Sequence, residues 1–176
     1  MPKIILKNKC LKKNPKIVVP LTPLDLWIDR ISFLLFFFIW LYVLVHYAEL
    51  PEIIPTHFNG RGVADAFGSK QSIWLMMGIF SSMFIGIYIL NKFPHLHNYT
   101  VKITQKNALK NYRFSTRILR VVNFFNLLLL AYILKTMIQP VEHQSNTLGG
   151  WFLPIIIIGS LVLIIYIFVK ANKINS

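Results

Sequence analysis

The chain has a single cysteine, Cys10, and only six acidic residues in 176. One cysteine excludes an internal disulfide framework and any Cys-rich metal site, leaving Cys10 as an ordinary free thiol. Against the six acids stand 19 Lys and Arg, giving a formal net charge of +13, yet the charges fall in blocks and leave long runs with none. There is no internal repeat of fixed period and no low-complexity tail. No cleavable leader is expected either. The first apolar run is long and ends in His46-Tyr47-Ala48-Glu49, without a small-x-small cleavage site, so it reads as an uncleaved anchor.

What is abundant is apolar. At 55% hydrophobic with 14 Phe, the composition is that of a membrane protein. A bilayer core about 30 Å thick needs roughly 20 apolar residues in a helix. Four stretches meet or approach that length, at 31–48, 72–90, 118–138 and 151–169. The expected fold class is therefore all-α: a polytopic membrane protein, a single domain over 1–176 built as a four-transmembrane-helix bundle. Thr22-Pro23-Leu24-Asp25 marks the first helix start, with Thr22 as N-cap and Pro23 at the first helical position.

Orientation follows from the basic residues. The basic N-terminal segment to Arg30 and the loop 91–120 carry seven each, and the tail carries Lys170 and Lys173. Only Arg61, Lys70 and Lys135 lie on the other side. That asymmetry predicts both termini in the cytoplasm (N-in/C-in) and the segment 49–71 outside. Trp74 and Trp151 at the outer helix ends, with Tyr88 and Tyr166 at the inner ends, fit two aromatic belts. The expected location is a cell membrane, spanned several times.

The segment 50–70 organises the rest. Two prolines, Pro51 and Pro55, and three glycines, Gly60, Gly62 and Gly68, lie between apolar spans, and such a segment cannot rest in hydrocarbon. Asn59-Gly60 is the pair best suited to a tight turn with positive φ, and Ser69 stands where the next helix needs an N-cap. A structured loop between two helices is expected, with His57 turned toward the bundle as a turn-stabilising residue. On the other side, Lys102, Lys106, Lys110, Arg113, Arg117 and Arg120 are spaced so that they form one stripe on a helix, with Thr104 as its cap. That stripe fits anionic lipid headgroups, or docking of an acidic partner protein; no DNA-reading module is present, so nucleic acid is not a partner.

Inside the membrane, Gly78, Ser82 and Gly86 share one face of the second helix and invite close approach of another helix, within the chain or from a second copy in a homo-oligomer. Asn123 and Asn126 share a face of the third helix and should hydrogen-bond to a neighbour. No charged residue lies at mid-membrane, which argues against a proton-coupled transporter or ion pump. On the outer side, His46, Glu49, Glu52, His57, Asp65, Glu142 and His143 include ligand types that zinc takes. Their spacing matches no metal motif such as HExxH, so no cofactor and no metal are assigned; His57, Asp65 and His143 are the candidates to inspect.

Leu50-Pro51, Ile54-Pro55-Thr56-His57-Phe58-Asn59, Gly62, Asp65, Gly68 and Lys70 resemble the uncharacterised bacterial membrane domain that forms the N-terminal part of SdpI-type toxin-immunity proteins. His97-Asn98-Tyr99, Thr104, Asn107-Ala108 and Tyr112 are similar to that family's cytoplasmic loop, and the resemblance runs from about Ile31 to Leu134. It implies a membrane fold, protection against a secreted peptide or toxin, and a cytoplasmic regulator as inner partner. It supplies no catalytic residues. The chain departs from full-length members in having four spans without their further membrane domain, so immunity is carried over as analogy. Two function classes follow. One is a non-enzymatic interaction protein that uses the outer loop. The other is a small membrane-embedded metal-dependent enzyme using His57 and Asp65 with Glu52, Glu142 or His143.

Overall fold

The computed structural model describes residues 14–138 and 147–175. Its elements in chain order are α1 (Pro23–His46), a 3-10 turn (Tyr47–Glu49), β1 (Ile53–Phe58), β2 (Ala64–Ser69), α2 (Ser72–Leu90), a 3-10 turn (Pro94–Leu96), α3 (Ala108–Ile138) and α4 (Phe152–Asn175). All four α-helices are long and apolar enough to cross a membrane. The chain is thus mostly helical, and the segment expected to be a structured loop is an antiparallel two-stranded sheet. A hairpin is the compact way for a segment between two spans to pair its own backbone groups.

α1 begins as its sequence dictates. Thr22 and Asp25 form a reciprocal capping box, with Pro23 in the first turn. The start of α2 differs from expectation. Ser69 ends β2, its hydroxyl accepts from the Gln71 N–H at 3.3 Å, and the N-cap is Gln71, which makes no side-chain cap. α3 also starts differently, at Ala108 and not at Thr104. Asn107 shapes its entry: the Asn107 carboxamide oxygen accepts from the Thr104 N–H at 2.7 Å, and its amide donates to the Lys102 carbonyl at 3.1 Å.

The main core joins three helices and the hairpin. Ile39 and Val43 of α1, Ile73, Met77 and Phe84 of α2, and Leu127, Leu130 and Leu134 of α3 are buried together with Leu50 and Ile54. Asn123 donates to the Phe84 carbonyl at 3.1 Å, tying α3 to α2 as its polar position requires. α4 is different: none of its residues is buried. It leans on α3 through a stacked Tyr132–Phe152 pair and a reciprocal Asn111–Asn175 amide pair. The core is therefore a three-helix one with α4 against its flank, an arrangement suited to a helix that is apolar all round. Among the described residues, the small-residue face of α2 does not receive another helix. Gly78, Ser82 and Gly86 are exposed, and nothing lies within 4 Å of a Cβ built on either glycine.

Candidate functional site

Two regions hold the polar residues singled out in the sequence, one at each end of the helices. At the first, β1 and β2 pair from Ile53 opposite Ser69 to Phe58 opposite Ala64. His57 pairs with Ala66, one residue out of step, and the register is restored at Phe58, which leaves Thr56 and Asp65 as the extra residues of a double irregularity. Bulges re-aim side chains. Here the His57 Nδ1 and an Asp65 carboxylate oxygen lie 2.5 Å apart on the exposed surface of the hairpin. The His57 side chain is 67% exposed, so the expectation that it turns into the bundle is wrong. The neighbouring Ile54 and Pro55 fill the bundle in its place.

The hairpin tip is built by Asn59 and Gly62. The Asn59 side-chain oxygen accepts from the N–H groups of Arg61 and Val63, while its own N–H donates to the Val63 carbonyl at 2.9 Å. Positive φ falls at Gly62, at 76°, and not at Gly60, so the expected two-residue Asn59-Gly60 turn is replaced by a longer one closed through the Asn59 side chain. Gly62 is required for a second reason. A Cβ there would lie 2.6 Å from the Gly149 carbonyl oxygen, because the tip is clamped against the strand-like segment before α4. That clamp consists of a Leu148 N–H donating to the Gly62 carbonyl at 2.7 Å and a bridge between Val63 and Thr147.

At the hairpin base, Lys70 pairs with Glu52 at 3.0 Å, donates to the Leu50 carbonyl at 3.3 Å and lies over the Tyr47 ring. Gly68 leaves room for Thr56, whose methyl would be 3.1 Å from any Cβ at that position. The motif residues of this segment thus divide into builders (Pro55, Thr56, Phe58, Asn59, Gly62, Gly68, Lys70) and an exposed His57–Asp65 pair, with Pro51 exposed beside them. Among the described residues, no group of three His, Cys, Asp or Glu is placed to hold a metal ion. Glu142 and His143 lie outside the described residues.

At the opposite end the expected basic stripe splits. Lys102 and Lys106 precede α3, and Lys110 and Arg113 are exposed on it. Arg117 and Arg120 turn inward. Arg117 Nε donates to Asp25 at 3.0 Å and its Nη2 to the Thr22 hydroxyl at 2.9 Å; Arg120 Nε donates to Asp29, also at 3.0 Å. Two of the six acids are therefore spent, four residues apart on one face of α1, on locking α1 to α3. The sequence reading missed this pairing. Its signal was that Asp25 and Asp29 are the only acids on the basic side of the chain.

The second set of motif residues is structural. Tyr112 is fully buried, with its hydroxyl donating to the Pro15 carbonyl at 2.9 Å, and Ile17 and Val19 pack over Ile103, Ala108 and Tyr112. His97 bridges the Leu90 carbonyl, at 3.1 Å, and the Ser115 hydroxyl, at 2.7 Å. Burial holds its imidazole below the ordinary value of 6.5. Tyr99 donates to the Pro94 carbonyl at 2.8 Å, and burial pushes its phenol up to about 12. Asn98 and Thr104 stay exposed.

Residues 34–81 match a family model described as a domain of unknown function (DUF1648). An uncharacterised protein of the archaeon Archaeoglobus fulgidus is 36% identical over 73 residues, which is 42% of this chain and 40% of that protein. The chain therefore spans about 40% of the length of the curated relative it matches. No solved structure matches. The resemblance at 97–112 lies beyond the matched residues. The stretch that is similar to that domain of unknown function runs from the middle of α1, through the hairpin, into α2.

Proposed function

We propose that this chain is a non-enzymatic interaction protein of the bacterial cytoplasmic membrane, with both termini in the cytoplasm and the β1–β2 hairpin outside as its recognition element. The observation that carries this reading is the division of labour within the hairpin. Pro55 and Gly62 are buried and Asn59 closes the tip through its side chain, while His57 and Asp65 are presented together on a hairpin that also exposes the apolar side chains of Ile53, Val63 and Phe67. A braced support that displays a hydrogen-bonded histidine and aspartate loses little conformational freedom on binding a peptide. On the strength of the motif resemblance, the partner is a secreted peptide or toxin of the SdpI-type immunity relationship. The inner face, with exposed Lys102, Lys106, Lys110 and Arg113, then rests on anionic headgroups or receives a regulator.

The His57–Asp65 contact also favours a second reading, a metal-dependent membrane enzyme in which an aspartate orients a ligating or proton-transferring histidine. It needs a third ligand or a reacting partner beside the pair. Metal analysis of the purified chain separates the two: a stoichiometric metal lost in His57→Ala supports the enzyme, and no retained metal supports recognition. Orientation is tested in a Cys10→Ser background. Arg61→Cys should react with a membrane-impermeant maleimide in intact cells and Lys106→Cys only after permeabilisation. The reverse pattern would overturn the proposed topology.

A further inference from the structure

Where α1, α2 and α3 come together near the Arg120–Asp29 pair, a small cavity of about 10 Å³ is lined by Asp29, Ser32, Asn91, Arg120 and Asn123 among the rings of Phe33, Phe84 and Tyr88. Three atoms of its lining residues are buried and have no hydrogen-bond partner among the described residues: Arg120 Nη1, Asn91 Oδ1 and Asn123 Oδ1. The three residues are 7%, 7% and 6% exposed, so bulk water does not serve them. The orientation of Asn123 is fixed by its amide, which donates to the Phe84 carbonyl, so its oxygen is the free acceptor.

We propose that this cavity is the binding site of one buried water molecule that bridges all three helices. The set comprises one donor and two acceptors. A water oxygen accepts from Arg120 Nη1, and its two hydrogens are donated to Asn91 Oδ1 and Asn123 Oδ1, which is the usual count of about three bonds for a buried water. Charge selects against ions. A cation would meet the Arg120 guanidinium, and an anion would meet two carbonyl-type oxygens with the Asp29 carboxylate behind them. Size selects as well, since roughly 10–15 Å³ is about the least that holds one water. The water joins Asn91, at the end of α2, to the ion pair that binds α1 to α3, so one polar network links all three helices at this end of the bundle.

The test is a structure of the full chain resolving ordered waters, obtained once in chloride and once in bromide. The expected result is a single peak within hydrogen-bond distance of the three atoms, identical in both salts and without a bromide anomalous signal. A bromide peak there would overturn the assignment in favour of an anion. So would no peak, with the three groups closed onto one another. In Asn91→Leu, which removes one acceptor and fills the space, the peak should vanish while the Arg120–Asp29 contact stays; a peak that persists unchanged would also overturn it.

Discussion

The two ends of the molecule use polar residues in opposite ways. At the hairpin end, polar side chains shape a small sheet and display a histidine and an aspartate to solvent. At the basic end they point inward: Arg117 and Arg120 bind Asp25 and Asp29, Tyr112 and His97 satisfy backbone carbonyls, and Asn123 ties two helices. In an apolar bundle there is little hydrophobic force to choose one helix arrangement over another, so buried polar pairs do the choosing. Motif residues at the basic end are therefore read as builders of the bundle. At the hairpin end, His57 and Asp65 build nothing, and they are the residues on which the proposed recognition role rests.

This contrast can be broken by substitution. Arg120→Leu leaves Asp29 half inside the bundle without its cation, and we expect it to destabilise the chain by about 3–5 kcal/mol, read from unfolding in mixed micelles. Adding Asp29→Leu should recover most of that loss; no recovery would mean that the pair is not what locks α1 to α3. Ile54→Ala removes a side chain that is 1% exposed where the hairpin enters the core, and should cost about 2–5 kcal/mol. If it is neutral, the hairpin is not seated in the bundle. Gly62→Ala forces a side chain into positive φ and against Gly149, at about 1–3 kcal/mol for the backbone alone. Its effect should be local, with faster amide exchange at Leu148 and unchanged protection in α3.

Acid should act on the basic end. His97 is held neutral by burial below its ordinary value of 6.5, whereas in the unfolded chain it takes up a proton at that ordinary value. Its contribution to stability is therefore full above pH 6.5 and is lost progressively as the pH falls below it. His97→Gln should flatten that part of the stability profile, and an unchanged profile would mean another group is responsible. The smallest expected effect on stability is that of His57→Ala, under about 1 kcal/mol because the pair it breaks is solvent-exposed. Asn59→Ala, by contrast, should loosen the whole tip.

Much of this was legible from residues alone. Four apolar runs predicted four helices, the Thr22–Asp25 box placed the start of α1, and Asn123 announced a helix-to-helix hydrogen bond. The hairpin was not legible as a sheet, because Ile53–Phe58 and Ala64–Ser69 carry two glycine or proline residues between them and no clean alternation. Its pairing rests on the Asn59 side chain and on the clamp from 147–149, which are tertiary. The sense of His57 was misread for a related reason: a shift of one residue in register decides which face a side chain takes. The basic stripe was misread because spacing reports which residues share a helix face, and not that α1 brings two aspartates to part of it.

The most direct test of the recognition claim is survival. Cells of a sensitive bacterium expressing the chain, or its His57→Ala variant at matched membrane levels, are challenged with secreted peptides from the source organism. The account predicts that the wild-type chain protects and that His57→Ala, inserted and folded, does not. Equal survival of both, or killing of both by every peptide, would contradict the hairpin as the recognition element of an immunity protein.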